Sequence, residues 1–387
     1  MSAPDRLPPL WPDSDPAVLA PVPEHEDLRA VARSIVEKHG DLEQLLGAVE
    51  SGQVPTEVWR RLTAELDLTA IAVPEAQGGA GFGLRELVVV LEETGAALVP
   101  DPVLSSAVLG LQALLLADDP AVAADVLADA LAGSALVTDA WGHAEALRLE
   151  GGTASGRLHR VLDAVGATHL VAPAVGPEGR MLLLVDLAEA GVTPLEHLDV
   201  TRRLGDVVLE GASARVLVGP DGVDDALRRL AVLRQVAVAA EHAGMVARLL
   251  DMTVAHVTTR QQFGRPIGSF QAVKHRLADV LVARERCRSA VRYAAARLDD
   301  DVAAGHDLGG AEVAAAVAAA VGTEAVLAAA HEAVQLHGGI GFTWEHPAHR
   351  YLRRALGDEA QFGSARDHRA RLAALLAVPG STPLEVS

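Results

Sequence analysis

Glu241 and the polar groups between Arg260 and Gln271 are the residues whose type and spacing suit them to chemistry. Glu241 stands in Val238-Ala-Ala-Glu-His-Ala-Gly244, and its neighbours at helical spacing, Ala237, Gly244 and Met245, are small or apolar. The carboxylate is therefore expected to point into a helix bundle or a cleft. Burying a carboxylate without compensation is costly. Two explanations stand: a functional carboxylate, whose pKa burial lifts toward the range of a working proton acceptor, or an ion pair with Arg234 or Arg248. Arg260, Gln262 and Gln271 flank the turn Phe263-Gly-Arg-Pro-Ile267, which brings three polar groups to one end.

The elements that position these groups read as a helical hairpin. Leu249, Leu250, Thr253, Val254 and Val257 recur at helical spacing, and Gly264 and Pro266 stop that helix. Ser269 is expected to cap a second helix whose apolar stripe is Val273, Leu277, Val280 and Leu281. This places Arg260 and Gln262 in the last turn of the first helix and Gln271 in the first turn of the second. A capped turn with solvated ends accounts for these residues equally well when they are taken alone.

The whole string from Arg260 to Asp279 resembles a signature of the acyl-CoA dehydrogenase family, in which a long helix ends, turns at Phe-Gly-x-Pro-Ile and restarts at Phe-Gln. The resemblance implies FAD, with Arg260, Gln262, Phe263, Ile267, Phe270 and Gln271 as contacts. Gln335-Leu-His-Gly-Gly-Ile-Gly-Phe342, followed by Glu345-His-Pro347, resembles the family's second signature. A helix cap explains Gly338 alone. In the family this loop meets FAD from a neighbouring subunit, which implies Gln335, Leu336, Gly338 and Gly339 as further contacts. Val73-Pro-Glu75 and the loop Gln77-Gly-Gly-Ala-Gly81 resemble the mouth of the family's acyl pocket. As a phosphate loop the same stretch lacks the Gly-Lys-Ser ending and a preceding long strand.

The chain changes texture three times. Residues 1–24 form a Pro-rich acidic arm, expected to be flexible. Residues 25–132 carry helical faces, such as Leu28, Val31, Ala32, Ile35 and Val36, and later Leu84, Leu87, Val88, Val90, Leu91 and Thr94. Residues 133–220 hold short β-rich runs at Ala135–Thr138, Ala146–Leu149, His169–Ala172, Met181–Val185, Asp206–Leu209 and Ala214–Val218. Residues 221–387 hold four long helical segments, the third an Ala-rich run from Leu308 to Leu336. The expected fold is α+β and multidomain: an N-terminal helical domain, a small middle β-barrel and a C-terminal four-helix bundle. The middle domain departs from the family at two loops. Val137-Thr-Asp-Ala-Trp-Gly-His143 and Val161-Leu-Asp-Ala164 replace the usual flavin-facing sequences, leaving Thr138 as a flavin contact and Leu162 and Asp163 as weaker substitutes by position.

Composition bounds the function. Half of the 387 residues are hydrophobic but only 3% are aromatic, so the core must be built from Ala, Val and Leu. A formal net charge of -19 argues against nucleic acid, because displacing counterions from phosphates needs a basic face. Cys287 is the only cysteine, which excludes a disulfide and a cysteine-based metal cluster. No metal site is expected. Neither a secretory signal nor an apolar run long enough to span a bilayer is apparent, and a cytoplasmic protein is the expectation.

The resemblance implies removal of the α-proton of an acyl-CoA by a carboxylate while a β-hydride passes to flavin, giving a trans-2-enoyl-CoA and electrons for an electron-transfer flavoprotein. Counting from the two signatures, the positions where the family carries its base hold Phe362 and Arg234 here. Glu241 is left as the candidate base, with Asp358 and Glu359 as reserves in a charged, solvated stretch. Similar Ala-Ala-Glu runs occur in a bacterial branch of the family whose two short subunits form an α2β2 heterotetramer with shared active sites. The resemblance thus implies either a dehydrogenase, as a homo-oligomer or a heterotetramer, or a catalytically silent partner that completes the FAD site of an active sibling. A flavin monooxygenase or oxidase on the same fold is a third reading. Arg350, Arg353, Arg354, Arg366, Arg369 and Arg371 form a late basic cluster, either a phosphate-facing surface or a salt-bridge network. Gly95, Ala96 and Ala97 are small enough to leave room for a bulky acyl group.

Overall fold

The computed structural model describes residues 20, 22–52, 56–140 and 147–378. The chain divides into two compact units, one of Met1–Asp27, Val88–Leu98 and Gln235–Glu385, the other of Leu28–Leu87, Val99–Arg234 and Val386–Ser387. The arm expected over residues 1–24 falls largely outside the described residues, and its last two residues already belong to helix α1 (Pro23–His39).

The second unit carries most of α1, then α2 (Leu42–Glu50) and α3 (Glu57–Leu66). The hydroxyl of Thr56 accepts the Val58 amide at the start of α3. Asp101 reinforces that helix start, its carboxylate accepting the amides of Thr56 (2.7 Å) and Trp59 (3.2 Å). Helix α4 (Leu84–Ala96) begins in this unit and buries Leu84, Leu87, Val88, Val90, Leu91 and Thr94, the face read from the sequence. A π-helical stretch, Val103–Gly110, follows; it runs into α5 (Leu111–Leu114), and α6 (Ala124–Leu131) closes the helical region.

The strands β1 (Val137–Asp139), β2 (Leu147–Glu150), β3 (Thr153–Leu162), β4 (His169–Gly176), β5 (Gly179–Asp186), β6 (Gly191–Leu195) and β7 (Leu204–Val218) form one sheet. Its pairings β4–β2–β3–β7–β5 return to β4 and close a five-stranded barrel, with β1 paired in parallel to β4 and β6 antiparallel to β7. Closure leaves few free strand edges. Leu147, Leu158, Val161, Leu170, Leu183, Val185 and Val207 fill the interior. Two corrections to the sequence reading follow. Asp206–Leu209 and Ala214–Val218 are parts of one 15-residue strand, because β7 changes partner from β3 and β6 to β5 without breaking. Strands β3 and β6 were not anticipated, since Thr153-Ala-Ser-Gly-Arg-Leu-His-Arg is largely polar and exposed, and β6 contains Pro194.

The first unit is built from α7 (Val223–Thr259), α8 (Gln271–Ala304), α9 (Gly309–His337), α10 (Ala348–Phe362) and α11 (Ala365–Leu375), with α7 entering from the second unit. Alanines 311, 314–316, 318–320, 325, 329, 330 and 333 are buried on α9, so short side chains bring helix axes close where a low-aromatic core needs it. Gly244 meets the backbone of α4, and a Cβ there would stand 1.8 Å from the Glu92 carbonyl oxygen. Two helices, Val223–Thr259 and Gly309–Phe342, are long and apolar enough by length and composition to cross a membrane, which corrects the expectation that no such run exists. Most of each apolar window is buried within the chain, so alanine-rich core packing accounts for the hydropathy.

Candidate functional site

The Arg260–Gln271 segment is more elaborate than a capped helix end. Helix α7 stops at Thr259, and β8 (Gln261–Gln262) pairs antiparallel with β9 (Arg265–Pro266) around a two-residue loop. Phe263 and Gly264 both have positive φ, 53° and 74°, the requirement of a type I′ hairpin turn. The Ile267 amide donates to the Arg260 carbonyl at 2.8 Å and closes the hairpin base. Arg260 and Gln262 therefore lie beyond the helix rather than in its last turn. Ser269 is not the cap of α8: it ends a 3₁₀ turn, Ile267–Ser269, and extended Phe270 precedes Gln271, the first helical residue, without a side-chain cap. Phe263 is 90% exposed at the tip, edge-on to Phe270 with ring centroids 6.1 Å apart, and the Arg265 guanidinium lies 4.0 Å over the Phe270 ring.

The second signature sits at the same end of this unit. Helix α9 ends at His337, Gly338 turns at φ 62°, and Gly338–Phe342 form a 3₁₀ turn. A side chain at Gly338 or Gly339 would meet nothing within 4 Å, so the loop backbone is open to an incoming ligand. Gln335 is exposed and Leu336 half-buried, while Ile340, Phe342 and Trp344 stand exposed nearby in sequence. The His256 ring, in the last turn of α7, stacks on His337 at 4.3 Å, and His337 stacks on His346 at 4.2 Å. This contact brings the two signatures together. An ion pair from Arg276 of α8 to Glu332 of α9, 3.2 Å, adds a second tie.

FAD, the cofactor the family implies, fits this donor set. Arg260 would supply a permanent cation for phosphate, Gln262 an amide, and the open Gly338–Gly339 loop backbone groups. Arg260, Gln262, Gly338 and Gly339 are all exposed on this chain. Thr138 differs: it is buried, and its hydroxyl donates to the Leu162 carbonyl. Asp163 is also engaged, paired with Arg203 at 2.9 Å and accepting the Ser105 hydroxyl at 2.6 Å. Trp141, Gly142 and His143 of the departing loop lie outside the described residues.

Glu241 is buried at 3% exposure within the helical unit. Its Oε1 lies 4.0 Å from Nη1 of Arg354, itself fully buried on α10. The sequence offered Arg234 or Arg248 as its partner, and Arg354 is a further cation beside it; Arg248 bonds to the Tyr351 hydroxyl, whose pKa burial pushes up to about 12. A Cβ on Gly95 would stand 2.6 Å from the Cα of Glu241, so the space at Gly95 holds the α7 backbone and not an acyl group. His242, the next residue, faces Asp358 of α10 at 3.3 Å, with both side chains buried. Asp358 is thus no solvated reserve carboxylate. The late arginines are largely spent: Arg350 and Arg354 are buried, Arg353 lies 4.9 Å over Trp344, Arg371 pairs with Glu312 at 3.1 Å, and Arg369 pairs with Glu324. Sequence reasoning had no means to pair Glu241 with Arg354, His242 with Asp358 or His256 with His337, because each partnership joins residues far apart in the chain. No group of three or more His, Cys, Asp or Glu able to hold a metal exists among the described residues.

This barrel, these long helices and the two loops at one bundle end define a protein class, and the chain belongs to the acyl-CoA dehydrogenase family. Residues 22–134 match the pattern of the acyl-CoA dehydrogenase N-terminal domain and residues 220–376 that of the C-terminal domain. Acyl-CoA dehydrogenase IpdE2 of Mycolicibacterium smegmatis is 35% identical over 353 residues, 91% of this chain and 98% of that protein. Acyl-CoA dehydrogenase FadE34 of Mycobacterium tuberculosis is 38% identical over 82% of this chain, but the match spans only 42% of FadE34. Among solved structures, the ChsE4-ChsE5 complex from Mycobacterium tuberculosis superposes with a TM-score of 0.82 at 29% identity, covering 93% of this chain and 99% of that one. A variant of the Tcur3481-Tcur3483 steroid ACAD gives 0.78 at 31% identity with the same coverage.

Proposed function

We propose that this chain is a subunit of an FAD-dependent acyl-CoA dehydrogenase, in an α2β2 assembly with a sibling subunit, and that it contributes cofactor-facing loops while the sibling contributes the base. The observation that carries this reading is the engagement of Glu241 with buried Arg354. That contact sets the carboxylate beside a fixed cation inside the helical unit, which supports a structural role for it. The positions to which the family assigns its base hold Arg234 and Phe362, neither of which accepts a proton at neutral pH. In the assembled enzyme Arg260, Gln262 and the Gly338–Gly339 backbone would help hold FAD, which would supply a hydride acceptor for converting an acyl-CoA to a trans-2-enoyl-CoA, with the sibling's carboxylate taking the α-proton and an electron-transfer flavoprotein the electrons. Two of the most similar solved structures are named for two components, and one of them is a steroid ACAD. Steroid-type acyl-CoA is therefore the first substrate class to try.

A second reading, in which Glu241 is the base, is favoured by its near-complete burial beside the small and apolar residues Ala237 and Met245 at helical spacing. The experiment that tests the proposal is to purify the chain alone and together with a co-expressed sibling, and to record flavin absorbance and its bleaching by a steroid-type acyl-CoA. A colourless lone chain and a yellow, bleachable complex support the subunit reading. A yellow lone chain that bleaches by itself overturns it.

A further inference from the structure

We infer that His256, His337 and His346 form a positioning column that holds the two cofactor-facing loops of this chain at a fixed spacing. This rests on the reading above that these loops contact FAD. Each ring comes from a different element: the last turn of α7, the last residue of α9, and the segment that leads into α10. The centroid spacings of 4.3 and 4.2 Å, with interplanar angles of 31° and 41°, make a continuous stack in which His337 is central. The column acts directly on both loops. The Arg260 amide donates to the His256 carbonyl at 2.9 Å, so displacing His256 displaces the hairpin, and His337 is joined covalently to Gly338. None of the three is placed to touch a substrate, and they are positioning residues.

Why histidine rather than phenylalanine follows from the backbone around the rings. His337 Nδ1 lies 2.7 Å from the Ala333 carbonyl and so carries the proton, leaving Nε2 as a buried acceptor without a hydrogen-bond partner. His346 Nδ1 accepts the Ala348 amide at 3.2 Å, which puts its proton on Nε2. Main-chain groups thereby orient the His337 and His346 rings. The charged groups acting on the column are cationic: Arg260 beside His256, and His349 beside His346, with Arg350 and Arg353 acting on His349. Glu345, next to His346 in sequence, is exposed, and Glu332 of α9 is engaged by Arg276 of α8. Burial, and then repulsion within the column, hold His256 below the ordinary histidine range and His346 down to about 4. The folded state thus binds fewer protons than the unfolded chain between about 6.5 and about 4, and the column's contribution is lost as pH falls through that window.

The test uses the assembled complex. FAD retained after gel filtration is measured from pH 8 to about 4.5, alongside subunit assembly, for the wild type and for His346→Phe, His337→Phe and His337→Ala. The column predicts that wild type releases FAD as the pH drops below about 6.5 while the subunits stay together. It predicts that His346→Phe, which keeps a ring but cannot titrate, shifts the release midpoint to lower pH. At pH 8, His337→Ala is expected to weaken FAD retention at least tenfold and His337→Phe to restore most of it. A release midpoint unchanged by His346→Phe overturns the column even if His337→Ala fails to fold. Wild-type complex that assembles but holds no FAD at pH 8 overturns the underlying reading of the loops, and is told apart by occurring without any substitution.

Discussion

Oε1 of Glu241 lies 4.0 Å from Nη1 of Arg354, joining α7 to α10 inside the helical unit with both side chains buried. Removing one member takes a partner from the other in a low-dielectric interior, at a cost of roughly 1–3 kcal/mol. Arg354→Ala should therefore lower the denaturation midpoint of the helical unit strongly. Glu241→Gln, close in shape and still able to hydrogen-bond, should cost less. In the double variant Glu241→Gln with Arg354→Ala the two effects should be less than additive, read as a coupling from denaturant titrations. Additive losses would mean that the two groups do not interact.

Two glycines test the packing of α4 against α7. Gly→Ala in a helix gains roughly 1 kcal/mol of intrinsic propensity, which would stabilise an open site. Here a Cβ on Gly244 would fall 1.8 Å from the Glu92 carbonyl oxygen, and one on Gly95 would fall 2.6 Å from the Cα of Glu241. Backbone atoms cannot swing aside as side chains do, so overpacking of roughly 1–3 kcal/mol or more outweighs the propensity gain. Both Gly244→Ala and Gly95→Ala are expected to lower the thermal midpoint, while Gly47→Ala on α2, where nothing lies within 4 Å, should leave it level or raise it.

Cys287 is fully buried and its thiol faces the Ala239 carbonyl at 3.8 Å. Burial, with the nearby Glu92 carboxylate adding, pushes its pKa up to about 12. At pH 8 the thiolate is then about one part in 10⁴, far below that of a free cysteine. Thiol reagents should leave the native protein unmodified over hours and modify it within minutes in denaturant; rapid labelling of the native protein would contradict this placement.

Asp163 in the β-barrel unit holds Arg203 at 2.9 Å, accepts the Ser105 hydroxyl at 2.6 Å, and has φ 52°. Asparagine tolerates that backbone conformation and still accepts a hydrogen bond, whereas alanine does neither. Asp163→Ala should cost several kcal/mol, on the order of the 3–5 kcal/mol for an orphaned buried charge, and Asp163→Asn distinctly less. Equal loss in both, measured by thermal unfolding, would assign the whole effect to the ion pair.

The sequence carried the architecture because it is written locally. The apolar face of α4, that of α1 apart from exposed Val31, and the alanine run of α9 each declare themselves within a few residues. Strands β3 and β6 did not, since the inward side of β3 begins with Ala154 and Gly156, too small to mark an apolar alternation, and β6 carries Pro194. The hairpin after Thr259 was read as a helix end because Gly264 and Pro266 stop a helix and build a type I′ turn equally well. The contacts that decide the fate of Glu241 were invisible for another reason. Arg354 is 113 positions away, and one buried carboxylate looks the same on paper whether it meets a substrate or a guanidinium.

The most direct measurement is the rate of flavin bleaching by a steroid-type acyl-CoA, under anaerobic conditions, in the assembled complex carrying Glu241→Gln. With the base on the sibling subunit, that rate should stay within a few-fold of the wild-type complex. A loss of 10³-fold or more in a complex that still assembles and still holds its FAD would make Glu241 the base and contradict the account.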